Sequence, residues 1–484
     1  MNDQVNIDAF AAVPVDRSWF GRQRSCAKPV DIAQPKPNRI ALLAHCGTGN
    51  LGDEASIAAV LDNITQRSPG VSVMGLSMDP ADTTRRLGIP CFAMRQRIFP
   101  FQREWSSAPR FPDRAGFAGR LKAIVKKTGP LFHIAKVLRQ ALIVRPVQVV
   151  REVGFLARAL LLVCELDMLI ICGGGQLLDW GGPWAFPYTL FKWIVLAKCA
   201  RVKCVFLNSG AGPLDSSLSR WFVKRMLNMA DYVSLRDAAS GELLRKIGFR
   251  GKMKVVADAV WGFHVPDRLV SKPTEQWTEL VVGVAPMAYG DSSRHWISDD
   301  RAYRHLIASM AEFCCWMLTR GYRIKLFSSD IWFDSQAILD LDAAIRQNCP
   351  TLGSDRVMRE TITNTSDMFA ALSGLDFYVT CRFHGVVFAS LLGVPTLALA
   401  PHPKVTTLMN DLGLSDYCVD ISQCDADDLK FRADRLIANM DEIKARICTN
   451  AAKFQSQLNL QFDALFLPDT DTHSGRTTCS REGA

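Results

Sequence analysis

The chain of 484 residues is marked first by what it lacks. Its 15 cysteines include no CxxC pair, and no Cys/His cluster has zinc spacing. That leaves no metal-ligand set to build on. The cysteine number is odd, Cys314 and Cys315 are adjacent in an apolar helical pattern, and the start MNDQVNIDAF is polar and acidic rather than leader-like. The expectation is reduced, mostly buried thiols in a cytoplasmic protein. No apolar run reaches the about 18–20 uncharged residues that a bilayer-spanning helix needs. The best attempt, VGFLARALLLVCELDMLIIC, is broken by Arg158, Glu165 and Asp167. Basic residues are not interleaved with stacking aromatics in any recognised nucleic-acid module, so nucleic acid is not an expected partner.

What is present points to two α/β cores. The chain is 48% hydrophobic, and single cores rarely grow past about 250–300 residues. There are 57 basic and 48 acidic residues, a net +9. That excess suits an anionic small molecule, a membrane surface or nucleic acid, and selects none of them.

Residues 1–37 carry several prolines and no regular pattern, and read as a flexible arm. RIALLAH (39–45) reads as a buried strand; a glycine loop, a helix from about Asp53 and the strand VSVMGLS complete a βαβ unit. DMLIIC (167–172), VKCVFL (202–207), DYVSL (231–235) and MKVVA (253–257) continue the series to about residue 265. The polar stretch 266–279, with two prolines, reads as a linker. LVVGVA, YRIKLF, DFYVT and PTLALA form a second series over 280–425. A long helical pattern, 426–464, follows and can pack back across both domains; the tail 465–484 reads as disordered. The fold class is therefore α/β: two Rossmann-like domains (38–265 and 280–425) with a cleft between them, the glycosyltransferase-B-like architecture. Ligands in such sheets sit at the carboxyl ends of the strands.

One insertion stands apart. Residues 95–158 hold 14 Lys/Arg against 3 Asp/Glu, with apolar and basic residues at helical spacing. That composition suits an amphipathic helix on an anionic membrane, or a solvated basic face.

Three strand ends carry candidate chemistry. Gly47-x-Gly49-x-x-Gly52 is formally a dinucleotide fingerprint, and His45 and Asn50 lie in the same loop. Asp53 and Glu54 argue against a dinucleotide, because they place negative charge in the helix turn that would hold the pyrophosphate. Asp53 is a ligand residue or a first-turn acid that stabilises its helix. His45 faces an acceptor or is a buried, satisfied histidine. Gly173, Gly174 and Gly175, followed by Gln176, allow close approach of a ligand or form a tight turn. In TCRFHGVVFASLLGVP (380–395), Arg382 and His384 stand where a buried strand ends and a helix begins. His384 is a catalytic candidate or a capping histidine; Arg236 is a ligand-binding residue or one half of a structural ion pair.

As an ordered set these segments resemble the polysaccharide pyruvyltransferase family. The carrying motifs are GNLGDEASIAAVL (49–61), IICGGGQLLD (170–179), NSGAGPL (208–214), SLRDAAS (234–240) and CRFHGVVFASLLGVPTLAL with PKV after it (381–405). The resemblance spans about 39–415. It implies transfer of the enolpyruvyl unit of phosphoenolpyruvate to two sugar hydroxyls, making a ketal and releasing phosphate. The family's Arg-x-His-Gly falls on Arg382, His384 and Gly385, and its Arg-Asp-x-x-Ser on Arg236, Asp237 and Ser240. Gln176, the AVW after Asp258 and His402 before Pro403-Lys404 depart from the usual pattern, which leaves the acceptor unassigned.

Phosphoenolpyruvate is a small anion with a planar carboxylate and a phosphate. Guanidinium groups bind both bidentately. Arg236 and Arg382, one from each domain, can clamp it, with Lys404 as a third cation; His384 is the acid–base candidate. No cofactor is implied, phosphoenolpyruvate being a co-substrate. The acceptor expected is a nucleotide sugar or a polyprenyl-linked oligosaccharide, with the basic insertion favouring the lipid-linked form on the inner membrane face. Two other readings stand beside this one: a nucleotide-sugar-dependent glycosyltransferase of the same architecture, and a non-catalytic membrane-associated assembly partner.

Overall fold

The structure, a computed structural model, describes residues 37–47, 49–96, 145–266, 280–291 and 299–467. The expected arm, linker and tail lie outside the described residues apart from their inner ends. So does the basic insertion between 97 and 144.

The N-terminal domain is a seven-stranded parallel sheet: β1 (Arg39–Leu43), β2 (Ser72–Ser77), β3 (Cys91–Ala93), β4 (Met168–Cys172), β5 (Lys203–Ser209), β6 (Tyr232–Leu235) and β7 (Lys254–Val255). Its order is β3-β2-β1-β4-β5-β6-β7. The C-terminal domain has six parallel strands: β8 (Val281–Ala285), β9 (Arg323–Leu326), β10 (Val357–Arg359), β11 (Phe377–Thr380), β12 (Thr396–Ala400) and β13 (Cys418–Asp420). Its order, β10-β9-β8-β11-β12-β13, is the same doubly wound pattern. The two sheets confirm the α/β, two-domain reading. The short edge strands β3, β10 and β13 carry too little apolar pattern to be read from sequence.

Continuous apolar runs form the strands because both sheet faces are covered, and alternate residues feed different cores. Ala41, Leu43, Leu169, Ile171 and Phe206 point to one face of the N-terminal sheet. Ile40, Leu42, Ile170, Val205 and Leu207 point to the other, into a core continuous with the C-terminal domain. The helix Leu51–Arg67 lies on that inner side.

The expected single C-terminal helix is two, Ala426–Ala438 and Met440–Phe466. Asn439 breaks the run, its φ of −114° and ψ of 21° leaving helical geometry. The second helix reaches the N-terminal domain. Arg67 Nε donates to Asp463 at 2.6 Å, and Gln461 Nε2 donates to Ser234 Oγ at 2.7 Å. All 13 cysteines among the described residues are unpaired, six of them buried.

Candidate active site

The two rows of strand ends face each other, and backbone joins them. Leu51 N–H donates to Ser329 O at 2.9 Å, and Ile331 N–H donates to Gly49 O at 3.0 Å. The glycines make this contact possible. Gly49 has φ +75°, and a Cβ on it would stand 2.7 Å from the Trp332 ring. The start of the helix Leu51–Arg67 is therefore occupied: Asn50 caps it, its side chain accepting from Gly52 N–H at 3.0 Å. Helix formation begins at Leu51 rather than at Asp53. Those amides are not presented to a pyrophosphate, which removes the physical basis of the dinucleotide pattern.

The second glycine loop serves the same packing. A Cβ on Gly173 would meet Ser56 Cβ at 2.6 Å, and one on Gly174 would meet Asp53 Oδ1 at 2.6 Å. Gly175 lies nearest Leu178 and Arg236. Gln176 is buried, its Nε2 donating to Cys172 O at 2.6 Å while its Oε1 has no partner. Gly47 packs on Asp79, which caps the next helix. Asp53 is buried and lies 3.4 Å from His45 Nδ1; the His45 ring stands edge-on to Phe186.

At the centre is Asp258, which follows β7 and caps the 3-10 turn Ala259–Gly262. Arg236, from the end of β6, donates through Nη1 to Asp258 Oδ2 at 3.2 Å. His384, from the C-terminal domain, places Nε2 3.9 Å from the same oxygen. That is beyond hydrogen-bond length, and His384 Nε2 has no partner. Asp258 Oδ1 accepts from Val260 N–H at 3.1 Å and Ser56 Oγ at 3.4 Å. Burial pushes the Asp258 carboxyl up, but His384, Arg236 and the Val260 amide outweigh it and hold the group well below the usual carboxylate range. An aspartate thus links the two motif residues across the domain boundary.

The fit around His384 is tight. It is the second residue of the helix Phe383–Leu391, for which Arg382 is the N-cap. A Cβ on Gly52 would lie 1.9 Å from His384 Cγ and Nδ1, so the imidazole occupies the place of a side chain on the opposing helix. Gly385 lets that helix sit against Thr380 Oγ1, which a Cβ would approach to 2.4 Å.

The Arg236 side chain is 7% exposed and stacks over the Phe383 ring at 4.9 Å. Gly210 provides its room, since a Cβ there would stand 2.6 Å from Arg236 Nε. Asp237 lies 3.4 Å from Nε, yet Nε makes no hydrogen bond. The remainder of the Arg-Asp-x-x-Ser motif is local structure: Asp237 caps the helix Ala238–Lys246, and Ser240 Oγ accepts from Ala211 N–H at 2.8 Å.

Arg382 is held differently. It donates to Asp334 through Nε at 2.8 Å and Nη2 at 2.6 Å, and its Nη1 lies 3.3 Å from Asp330. Both acids come from the loop after β9. Desolvation lowers the Arg382 pKa, but Asp334 and Asp330 reverse that and raise it. Asp330 itself is raised to about 6, chiefly by burial, with Arg382 opposing.

Lys404 lies in the helix Pro403–Asp411, capped by His402. Desolvation, then the charges of Arg236 and Arg382, bring its pKa down to about 8. Lys404 is an exposed residue, which limits how dry its ammonium is and leaves the like charges as the firmer cause.

Asp258, Asp330 and Asp334 were not among the sequence candidates. Asp258 had a signal in its place after a strand; the other two had none. The site therefore has two buried polar atoms that make no hydrogen bond among the described residues, Arg236 Nε and His384 Nε2, on either side of a shared carboxylate. Native structures leave few such atoms, and each calls for an explanation, a catalytic role among them.

A family model described as polysaccharide pyruvyl transferase matches residues 50–403. The amylovoran biosynthesis protein AmsJ of Erwinia amylovora is similar at 20% identity over 427 residues, 84% of this chain and 94% of the relative. A solved UDP-N-acetylglucosamine 2-epimerase is similar at TM-score 0.50 and 11% identity, over 89% of this chain and 97% of that one. A sucrose-phosphate synthase from Thermosynechococcus elongatus is similar at TM-score 0.46 and 12% identity, over 89% and 98%. The structural likeness is one of fold.

Proposed function

The chain belongs to the polysaccharide pyruvyl transferase family, and from that premise we propose that it transfers pyruvate from phosphoenolpyruvate to a sugar diol as a ketal during exopolysaccharide or cell-surface polysaccharide synthesis. One observation carries the reading: Arg236 and His384 approach the same Asp258 oxygen from opposite domains while Arg236 Nε and His384 Nε2 make no hydrogen bond among the described residues. The similarity to an amylovoran biosynthesis protein supports the polysaccharide setting.

In this reading Arg236 and Lys404 receive the carboxylate and phosphate of the donor. Arg382 takes a positioning role, because Asp334 and Asp330 already engage its guanidinium. A first sugar hydroxyl bonds to C2 of the enol while C3 gains a proton. A second hydroxyl then bonds to C2 as the C2–O bond to phosphate breaks; its proton balances the departing phosphate. His384 supplies the proton to C3 and takes up the one that the first hydroxyl loses, so it ends the cycle as it began. Asp258 gives the proton-bearing ring a counter-charge. The acceptor in this reading is a nucleotide sugar or a polyprenyl-linked oligosaccharide in the cytoplasm.

Calorimetric titration with phosphoenolpyruvate tests the donor. Binding is expected for the wild type, with a loss of roughly 10-fold or more in affinity for Arg236→Gln, since a hydrogen-bonded charge contact is worth about 1.5–3 kcal/mol. Silence towards phosphoenolpyruvate, with tight binding of a nucleotide sugar and no phosphate release when both are present, would overturn the reading in favour of glycosyl transfer.

A further inference from the structure

We propose that the outer helical layer of the N-terminal domain docks on an anionic lipid bilayer. The layer is three helices, Arg145–Val163, Phe186–Cys199 and Ser217–Met229. They pack side by side on the sheet face opposite the C-terminal domain. Their outward surface combines two properties. First, it is apolar: Val150 is 71% exposed, Leu161 66%, Val153 60% and Trp221 46%. Secondly, its charge is of one sign. The only acid in the three helices is Glu152, which is buried and paired with Lys192 at 2.9 Å. Arg151, Arg158, Lys224 and Arg225 are exposed.

The chemistry selects the occupant. A second copy would set like charge against like charge. Residues 97–144 hold 10 Lys/Arg and 2 Asp/Glu, so that stretch of the chain meets the same repulsion. An anionic polymer in water offers no apolar phase for Val150, Val153 and Leu161. A bilayer with anionic headgroups satisfies both halves, taking the valines and the indole below the headgroups and the arginines among them. No helix among the described residues is long and apolar enough to span a membrane, so the contact is peripheral. This inference stands whether or not phosphoenolpyruvate is the donor.

The test is flotation of the full chain with phosphatidylcholine vesicles, with and without about one-third phosphatidylglycerol. The wild type is expected to float with the anionic vesicles alone. The double variant Val150→Asp, Val153→Asp is expected to lose that binding by roughly 10-fold or more, each residue giving up a partly buried apolar side chain. Arg158→Glu is expected to weaken it by several-fold. Phe431→Asp, an exposed apolar position on the other domain, is expected to float as the wild type does. Far-ultraviolet circular dichroism matching the wild type shows that each variant is folded. Three results would overturn the proposal. They are no flotation of the wild type, unchanged flotation of the double variant, or a concentration-dependent dimer in light scattering that the double variant abolishes. Unchanged flotation of the double variant would place any lipid contact in residues 97–144 instead.

Discussion

Arg236 and Arg382 both follow the carboxyl end of a parallel strand, yet the two strand ends are built for different work. Arg236 shares its one hydrogen-bonded acid, Asp258, with His384 and keeps Nε unbonded beneath Phe383. Arg382 spends a bidentate face on Asp334 and its remaining edge on Asp330. The same residue type in the same kind of position keeps a buried Nε–H without a hydrogen bond in one domain and is engaged by two carboxylates in the other. The difference lies in which carboxylates distant segments bring to it.

The contrast is broken most forcefully at Arg382. Removing one partner from a buried pair strands the other, typically at about 3–5 kcal/mol. Arg382→Ala removes the countercharge of Asp334, which is fully buried and keeps only Ser328 Oγ and the Ala288 amide, so a loss of that order is expected in urea unfolding. Asp334→Asn in the same background is expected to recover much of it. Arg236→Ala is expected to be milder, because Arg236 gives Asp258 one hydrogen bond where Arg382 gives Asp334 two. Equal losses at the two arginines would erase the distinction.

A smaller change sharpens the active side. Gly52→Ala places a methyl where the His384 ring lies and pushes the imidazole away from Asp258. Displacement of about 1 Å can cost 100-fold in rate, so phosphate release is expected to fall by about that factor. Phosphoenolpyruvate affinity, which the proposed function assigns to Arg236, is expected to change little. A full-rate variant would mean that the ring needs no fixed position.

The smallest expected effect is at Glu54, in the first turn of the same helix. Burial lifts its carboxyl to about 7, against the pull of Arg86 at 3.2 Å. A carboxyl that holds its proton more tightly in the folded state adds stability at low pH. That stability is lost as pH rises from the unfolded value towards 7. Glu54→Gln does not titrate, so the variant is expected to gain on the wild type between pH 5 and pH 8, by about 1–2 kcal/mol. Urea midpoints at the two pH values check it; a constant difference would show that Glu54 does not titrate in that window.

Much of the molecule is legible in the chain. The apolar runs RIALLAH, DMLIIC and DFYVT can only be strands covered on both faces, and their alternation with helices leaves doubly wound sheets as the solution. The glycine loops are legible as points of close approach, but what approaches is Ser56, Asp53, Trp332 and His384. Asp330 and Asp334 carried no signal, since acids flanking Ile331, Trp332 and Phe333 look like any polar turn. The break at Asn439 is likewise invisible to a pattern that stays helical on both sides.

By itself, then, the sequence determined two parallel-sheet domains, the family and the residue types at the strand ends, because burial on both faces and turn chemistry are local properties. Only the tertiary structure decided that Asp258 joins Arg236 to His384, that Asp334 claims Arg382, and that one helical face is left both apolar and basic. Each depends on which segments meet in space or lie unmet on the outside, and contact between residues tens to more than a hundred positions apart is set by packing, not by spacing.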